Sequence, residues 1–194
     1  MFEVKTIIMA AVPLYMRIMG DCWSQVAEPV RSVHSTHAIM RAHGRLRIRH
    51  GGHALARILA RVLRLPRPDA AAETQLTVTA RPGGERWQRT FNGRGFTTQQ
   101  YESNASGLAE RYGVLEFRFR LEASEGSLLY VQREAALIAG TVRVRLPGLL
   151  APHVAAREDP VGLNRVNVDV RVTLPWIGLL MAYDGPIEVE EARA

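Results

Sequence analysis

The chain has 194 residues and a formal net charge of +6, with 47% hydrophobic and 23% charged residues. This length and composition predict a single globular domain over residues 1–194 and argue against two full-sized domains. The only cysteine, Cys22, excludes an intrachain disulfide and fits a reducing cytoplasm, and the absence of any run of 18 apolar residues argues against a transmembrane segment.

The N-terminal segment, residues 11–43, is predicted to be helical. Pro13 suits the first turn of a helix, and apolar residues follow it at helical spacing. These residues are Leu14, Ile18 and Met19. A second short helix is predicted to begin near Pro29, with Val30 and Val33 on one side. Residues 45–49 then alternate as a strand.

Residues 53–65 form the clearest predicted helix, which Pro66 and Pro68 end. Its apolar stripe consists of Leu55, Ile58, Leu59, Val62 and Leu65, and its other side carries Arg57, Arg61 and Arg64. We expect the stripe to fill the concave side of a sheet. The alternative is a helix that lies on a membrane surface.

Residues 74–189 are predicted to be almost entirely β, after a loop over residues 66–73. Residues 166–174 alternate valine or leucine with polar residues, which only a half-buried strand explains. Turn signals at residues 81–84, 92–93 and 125–126 separate further strands. About nine or ten strands with short connections indicate an antiparallel sheet. We therefore predict an α+β fold: a highly curved sheet or partial barrel with the helices on its concave face.

A series of short motifs follows along the chain in a distinctive order. They are Pro-Leu-Tyr-x-Arg-x-x-Gly at 13–20, Trp23, Val-Arg-x-x-His at 30–34, Leu-Ala-Arg-x-Leu-Ala-Arg-x-Leu-x-Leu-Pro at 55–66, Glu-Arg-Trp-x-Arg-x-Phe-x-Gly-Arg-x-Phe at 85–96, Glu-Arg-Tyr-Gly at 110–113, Leu-Ala-Pro-His at 150–153 and Leu-Pro-x-x-Gly-Leu-Leu-x-x-Tyr at 174–183. From about residue 13 to 185, this order resembles a bacterial family known only as a domain of unknown function.

Members of that family occur alone or C-terminal to oxidoreductase domains of the saccharopine-dehydrogenase or epimerase type. The resemblance implies an accessory or ligand-handling module with an oxidoreductase partner, and it implies no catalytic residues. The chain departs from the family at Tyr183-Asp184-Gly185, where Tyr-Arg-Gly is more frequent.

The best candidate binding surface is a strand face shared by Glu85, Trp87 and Arg89. Phe91 shares this face, and an acid, a base and two aromatic rings on one surface could line a polar pocket around a ligand. The alternative is an ion pair beside an aromatic core residue. Arg111, which follows Glu110, carries the same ambiguity.

His34 and His37 are spaced as on one helical face, and His34 lies close to Arg31 in a motif. A zinc site needs three or four convergent ligands, and the glycines that separate the other histidines break such a geometry. We therefore expect no metal and keep Arg31 and His34 as ligand-binding candidates. The chain has no G-x-G-x-x-G or P-loop motif, so we expect no nucleotide cofactor.

Eight arginines occupy the polar phase of alternating strands: Arg45, Arg47, Arg49, Arg118, Arg120, Arg143, Arg145 and Arg171. They could form an anion-binding face, or they could be a solvated outer surface with interspersed carboxylates. Nucleic acid is not expected because the aromatic residues mostly occupy the inward phase.

Three functions remain open at this point. The first is a module that binds an apolar or amphipathic small molecule inside the curved sheet. The second is an enzyme or enzyme subunit that acts beside an oxidoreductase or epimerase. The third is a peripheral membrane module.

Overall fold

The computed structural model describes residues 12–35, 38–103 and 107–190. Its helices are α1 (Leu14–Met19), a 3₁₀ helix (Gly20–Gln25), α2 (Glu28–His34) and α3 (Ala54–Val62). The strands are β1 (Ile39–His50), β2 (Asp69–Arg81), β3 (Gly84–Phe91), β4 (Arg94–Ser103), β5 (Gly107–Tyr112), β6 (Leu115–Ser124), β7 (Ser127–Ala139), β8 (Val142–Arg145), β9 (His153–Pro160), β10 (Arg165–Leu174) and β11 (Gly178–Val189).

Ten of the strands close into an antiparallel barrel. Their order is β6-β5-β4-β3-β2-β1-β11-β10-β9-β7, and β7 pairs back onto β6. The short β8 extends the sheet beyond β7. Closure leaves these ten strands without free edges and encloses an interior. The predicted α+β fold with a highly curved antiparallel sheet is confirmed, and the ring is complete.

Local sequence explains how tightly the strands turn and approach each other. Asn92 and Gly93 connect β3 to β4 with positive φ angles of 48° and 75°, as a two-residue hairpin turn requires. Where β1 and β11 pair, a Cβ on Gly44 would lie 2.3 Å from the carbonyl oxygen of Pro186. Only glycine permits this approach.

Three segments differ from the sequence predictions. Residues 39–43 belong to β1 and not to the helical segment, since Met40 and Ala42 alternate inward between β2 and β11. Residues 69–73 extend β2 instead of forming a loop, because they pair with the second half of β1. Gly107–Tyr112 forms β5, where the sequence analysis identifies only the motif at residues 110–113 and no strand.

The N-terminal helices close one end of the barrel. Leu14 and Tyr15 of α1 and Val30 and Val33 of α2 are at most 3% exposed, and Ala27 N donates to Gly126 O at 2.8 Å in the turn between β6 and β7. The prediction that the N-terminal helices pack on the concave face of the sheet is confirmed. We call this group of helices the plug.

Helix α3 lies across the opposite end, which we call the mouth. It packs through Ala56 and Ala60 against Leu180 of β11. The predicted burial of the whole apolar stripe is wrong, because Leu55, Ile58 and Val62 are 43%, 58% and 70% exposed. The two alanines allow the closest approach to the strand, and this rotates the larger side chains outward. Within the described ranges, every helix is too short or too polar to cross a membrane.

Candidate ligand-binding site

The barrel contains an apolar chamber of about 300 Å³ at its mouth. Nine leucines from α3, the segment after it, the strands and the loop after β8 contribute to its wall: Leu59, Leu63, Leu65, Leu115, Leu137, Leu146, Leu150, Leu174 and Leu180. Leu150 is 66% exposed, so the chamber reaches the surface beside this residue. An engineered apolar cavity of about 150 Å³ already stays dry and binds benzene. The chamber therefore has the size and lining of a small-molecule site.

A polar pair marks the inner end of this chamber. Glu110 of β5 lines the apolar chamber and also a second cavity of about 70 Å³, whose wall includes Arg89 of β3. Arg89 Nη1 lies 3.7 Å from Glu110 Oε1 and donates to Thr98 Oγ1 at 3.0 Å. Its guanidinium carbon lies 4.9 Å from the centroid of the Trp87 ring. A base, an acid and an aromatic ring thus meet where the two cavities join.

Deeper in the barrel, a hydrogen-bonded network ties the plug to the wall. Glu158 of β9 lies 2.6 Å from His34 Nε2 and accepts from Tyr130 OH at 2.9 Å. Tyr15 OH lies 3.1 Å from Tyr130 OH and donates to Gln100 Oε1 at 2.8 Å. The network therefore joins α1 and α2 to β4, β7 and β9.

The geometry favours one tautomer of His34. Its Nδ1 is buried and has no hydrogen-bond partner among the described residues. A buried acceptor without a partner costs less free energy than a buried N–H donor without a partner. We therefore place the proton on Nε2, from which it is donated to Glu158.

Burial dominates the electrostatics of this interior. It raises the pKa of Tyr15 and of Tyr130 well above the usual value, so both hydroxyls stay protonated and can donate. Burial also raises the pKa of Glu85, which accepts from Trp87 Nε1 at 3.0 Å. The low-dielectric interior thus favours neutral groups around a limited number of charges.

The structure brings together four of the six candidate residues. His34, Glu85 and Trp87 are at most 4% exposed in the interior, with ring centroids of His34 and Trp87 5.3 Å apart, and Arg89 lies beside them.

The other two candidates lie apart from this group. Arg31 pairs with Glu28 on the exposed side of α2 at 2.5 Å. Arg111 points outward from β5 and donates to Gly113 O at 2.9 Å, because its neighbour Glu110 takes the inward phase.

Sequence reasoning did not single out Glu158, Tyr130, Tyr15 or Gln100. Glu158 shares the inward phase of β9 with Val154 and Ala156. A carboxylate at an apolar phase signals a buried, paired charge, and this signal was present in the sequence. The partners of Glu158 come from 28 and 124 residues away along the chain, and local sequence carries no trace of such pairings.

The arginines of the sheet are largely neutralised on the outer wall. Arg47 and Arg49 pair with Asp184 at 2.9 and 2.8 Å, and Arg118 and Arg143 pair with Glu116 at 3.0 and 2.8 Å. Burial opposes the charge of Glu116, but hydrogen bonds from Tyr101 and the two arginines outweigh it and lower its pKa. This pattern matches the solvated surface with interspersed carboxylates.

The histidines among the described residues do not converge. His43 lies on the surface 3.5 Å from Glu190, His50 contacts Pro66 O at 2.8 Å, and His53 caps α3. His37 lies outside the described residues. Across the described parts of the chain, no three histidine, cysteine or carboxylate side chains are grouped to hold a metal ion.

Comparison with known proteins places the chain in a family. Neither the curated proteins nor the solved structures contain a match to the chain. A family model described as "Domain of unknown function (DUF4166)" matches residues 26–187, which hold α2, α3 and nearly the whole barrel. Because the match spans most of the chain, the protein belongs to the DUF4166 family of unknown function.

Proposed function

We propose that the protein binds an uncharged amphipathic small molecule inside the barrel. The apolar part occupies the leucine-lined chamber, and the polar group bonds to both Arg89 and Glu110. The observation that carries this proposal is the position of Glu110, which borders both the apolar chamber and the small polar cavity. A pocket with an apolar wall and few convergent polar groups is the usual form of a ligand site.

The polar pair also indicates the kind of head group. Arg89 and Glu110 balance each other's charge, so a charged head group would leave one unpaired charge in a buried site. Arg89 has further N–H donors, and the Glu110 oxygens have no hydrogen-bond partner within the described residues. A hydroxyl or primary amide can accept from Arg89 and donate to Glu110 at the same time.

A displacement series tests both parts of the proposal. The uncharged dye N-phenyl-1-naphthylamine reports occupancy of the chamber by its fluorescence. Alkanols, primary alkanamides, alkanoates and alkylammonium ions of equal chain length are then compared as competitors. We expect the alcohol and the amide to displace the dye at concentrations about tenfold or more below those of both ions, since one unpaired buried charge weakens binding by several kcal/mol.

Three variants test the position of the site. Val172→Phe adds volume to the chamber wall and should weaken dye binding at least about tenfold, whereas Val161→Phe, in an exposed turn at the plug end, should leave it unchanged. Arg89→Met leaves the Glu110 carboxylate without its charge partner, so it should shift the preference from uncharged head groups to alkylammonium ions and should keep the discrimination against alkanoates. Absence of dye binding to the folded wild type, or tightest displacement by an alkanoate, would overturn the proposal.

The existence of a partner oxidoreductase or epimerase stays a prediction that rests on the family resemblance. The module would exchange its ligand with this partner or act with it as an enzyme subunit. The cytoplasmic location also stays a prediction. Co-purification with an oxidoreductase from the source cells would support the partnership.

A further inference from the structure

We propose that the mouth of the barrel docks onto a lipid bilayer that contains anionic lipids. The docking surface consists of the outward face of α3, the loop after β8 and the turn between β10 and β11. Docking follows from this surface alone, but passage of a ligand between bilayer and chamber rests on the proposed function.

The apolar part of this surface is largely exposed to solvent. Three side chains of α3, two of the loop after β8 and one of the β10–β11 turn are between 43% and 85% exposed. They are Leu55, Ile58, Val62, Leu149, Leu150 and Trp176. Exposed apolar groups concentrated at one end of a domain indicate an interaction site, and tryptophan favours the interface between water and lipid.

Positive charge flanks the same helix. Arg57, Arg61, Arg64 and Arg67 are exposed, and none forms an ion pair with a carboxylate in the described part of the chain. The wall arginines, in contrast, mostly pair with Asp184, Glu116, Glu122 and Glu134. An amphipathic helix with arginines beside an apolar face is the form that binds anionic membrane surfaces.

The docking surface is continuous with the entrance of the chamber. Leu59 of α3 and Leu63, which follows the last residue of the helix, line the chamber, and the exposed Leu55 and Val62 lie one turn from Leu59. Across the opening, Leu150 is both exposed and part of the chamber wall. A molecule that leaves the acyl region would therefore meet apolar side chains along its whole path.

Vesicle flotation tests the docking. The full chain is mixed with vesicles of phosphatidylcholine alone and with vesicles of phosphatidylcholine and phosphatidylglycerol. We expect flotation with the mixed vesicles and much weaker flotation without the anionic lipid. Arg57→Gln with Arg61→Gln should weaken partitioning about 25-fold, because each arginine near an anionic surface contributes about fivefold. Arg81→Gln with Arg165→Gln, at the plug end, should have little effect.

The apolar contribution has its own matched pair. Ile58→Asp with Val62→Asp should weaken partitioning at least about tenfold, whereas Leu163→Asp, which is 92% exposed at the plug end, should not. Trp23 and Trp87 are buried and Trp176 is exposed, so quenching by acrylamide reports mainly on Trp176. Mixed vesicles should protect Trp176 from the quencher.

The outcomes separate docking from ligand binding. The α3 variants should keep dye binding in solution, and Val172→Phe should keep vesicle flotation. Failure of the wild type to float, equal flotation without phosphatidylglycerol, or flotation unaffected by the α3 variants would overturn the docking proposal, and the first of these would favour a protein partner on this surface. Loss of dye binding with intact flotation would instead count against the chamber as a ligand site.

Discussion

The buried contact between His34 and Glu158 should show strong energetic coupling. His34 is fully buried and Glu158 is 7% exposed, and each is the other's partner at 2.6 Å. Glu158→Leu leaves the Nε2–H of His34 without an acceptor. Moving the proton to Nδ1 would not help, because Nδ1 has no hydrogen-bond partner either. A stranded buried donor costs about 1–3 kcal/mol of folding free energy. Tyr130 is affected less, since its hydroxyl can still donate to Tyr15.

The opposite single substitution should be the more damaging one. His34→Leu leaves a carboxylate buried without its main partner, and such a change typically costs about 3–5 kcal/mol. The double variant removes both groups and puts apolar side chains of similar size in their place, which is often close to neutral. We therefore expect the double variant to be more stable than His34→Leu alone.

Urea unfolding followed by tryptophan fluorescence measures the four free energies of the cycle, since the Trp87 and Trp23 rings lie 5.3 and 6.4 Å from the His34 ring. The chain supplies a control on its surface. His43 and Glu190 lie 3.5 Å apart and are about half exposed, so the same cycle there should give a coupling below about 1 kcal/mol. Additive effects at His34 and Glu158 would refute the reasoning that their contact holds the plug.

Three further predictions concern single side chains. Glu85→Gln should raise the free energy of unfolding at pH values above the folded-state pKa of Glu85. Burial raises this pKa, so the wild type loses stability as the pH rises from the unfolded-state pKa to the folded-state pKa. Urea midpoints measured across this pH range should show the loss in the wild type and not in the variant. Glu116→Gln should cost about 2 kcal/mol at neutral pH, and because the folded pKa of Glu116 is lowered, the difference from wild type should shrink in urea titrations as pH falls through the unfolded and then the folded value. Asn92→Ala should lower the thermal midpoint more than Asn92→Gly does, since Asn92 has a φ of 48° and glycine tolerates this angle.

The sequence predicted the elements that depend on short-range patterns. The alternation in residues 166–174 and the turn signals at Asn92-Gly93 and Glu125-Gly126 correspond to β10 and to two of the observed hairpins. These features depend on side-chain phase and on positive φ, which neighbouring residues encode. Closure of the barrel could not be predicted from neighbouring residues in this way. It requires β7 to pair with β9 across a segment that contains β8 and a loop.

The candidate site likewise has one part that short-range patterns predict and one part that depends on strand pairing. Glu85, Trp87 and Arg89 share one face of one strand, so local periodicity was enough to group them. Glu110 completes the site from β5, two strands away along the sheet, and its distance from Arg89 follows only from the sheet order. The predicted packing of α3 is wrong for another reason. Its apolar stripe predicts an interior face, but the small side chains of Ala56 and Ala60 form the contact with Leu180.

The two ends of the barrel are closed by interactions of different strength, and this should decide where the barrel opens. The plug buries Tyr15, Val30 and His34 almost completely and is tied to the wall through Glu158. Helix α3 buries mainly two alanines, which contribute little apolar area, so its local opening should require less free energy than release of the plug. Hydrogen exchange should therefore be faster for the amides of Ala54–Val62 than for those of Glu28–His34. Equal protection of the two helices would contradict this order and would leave the mouth with no advantage as the entrance.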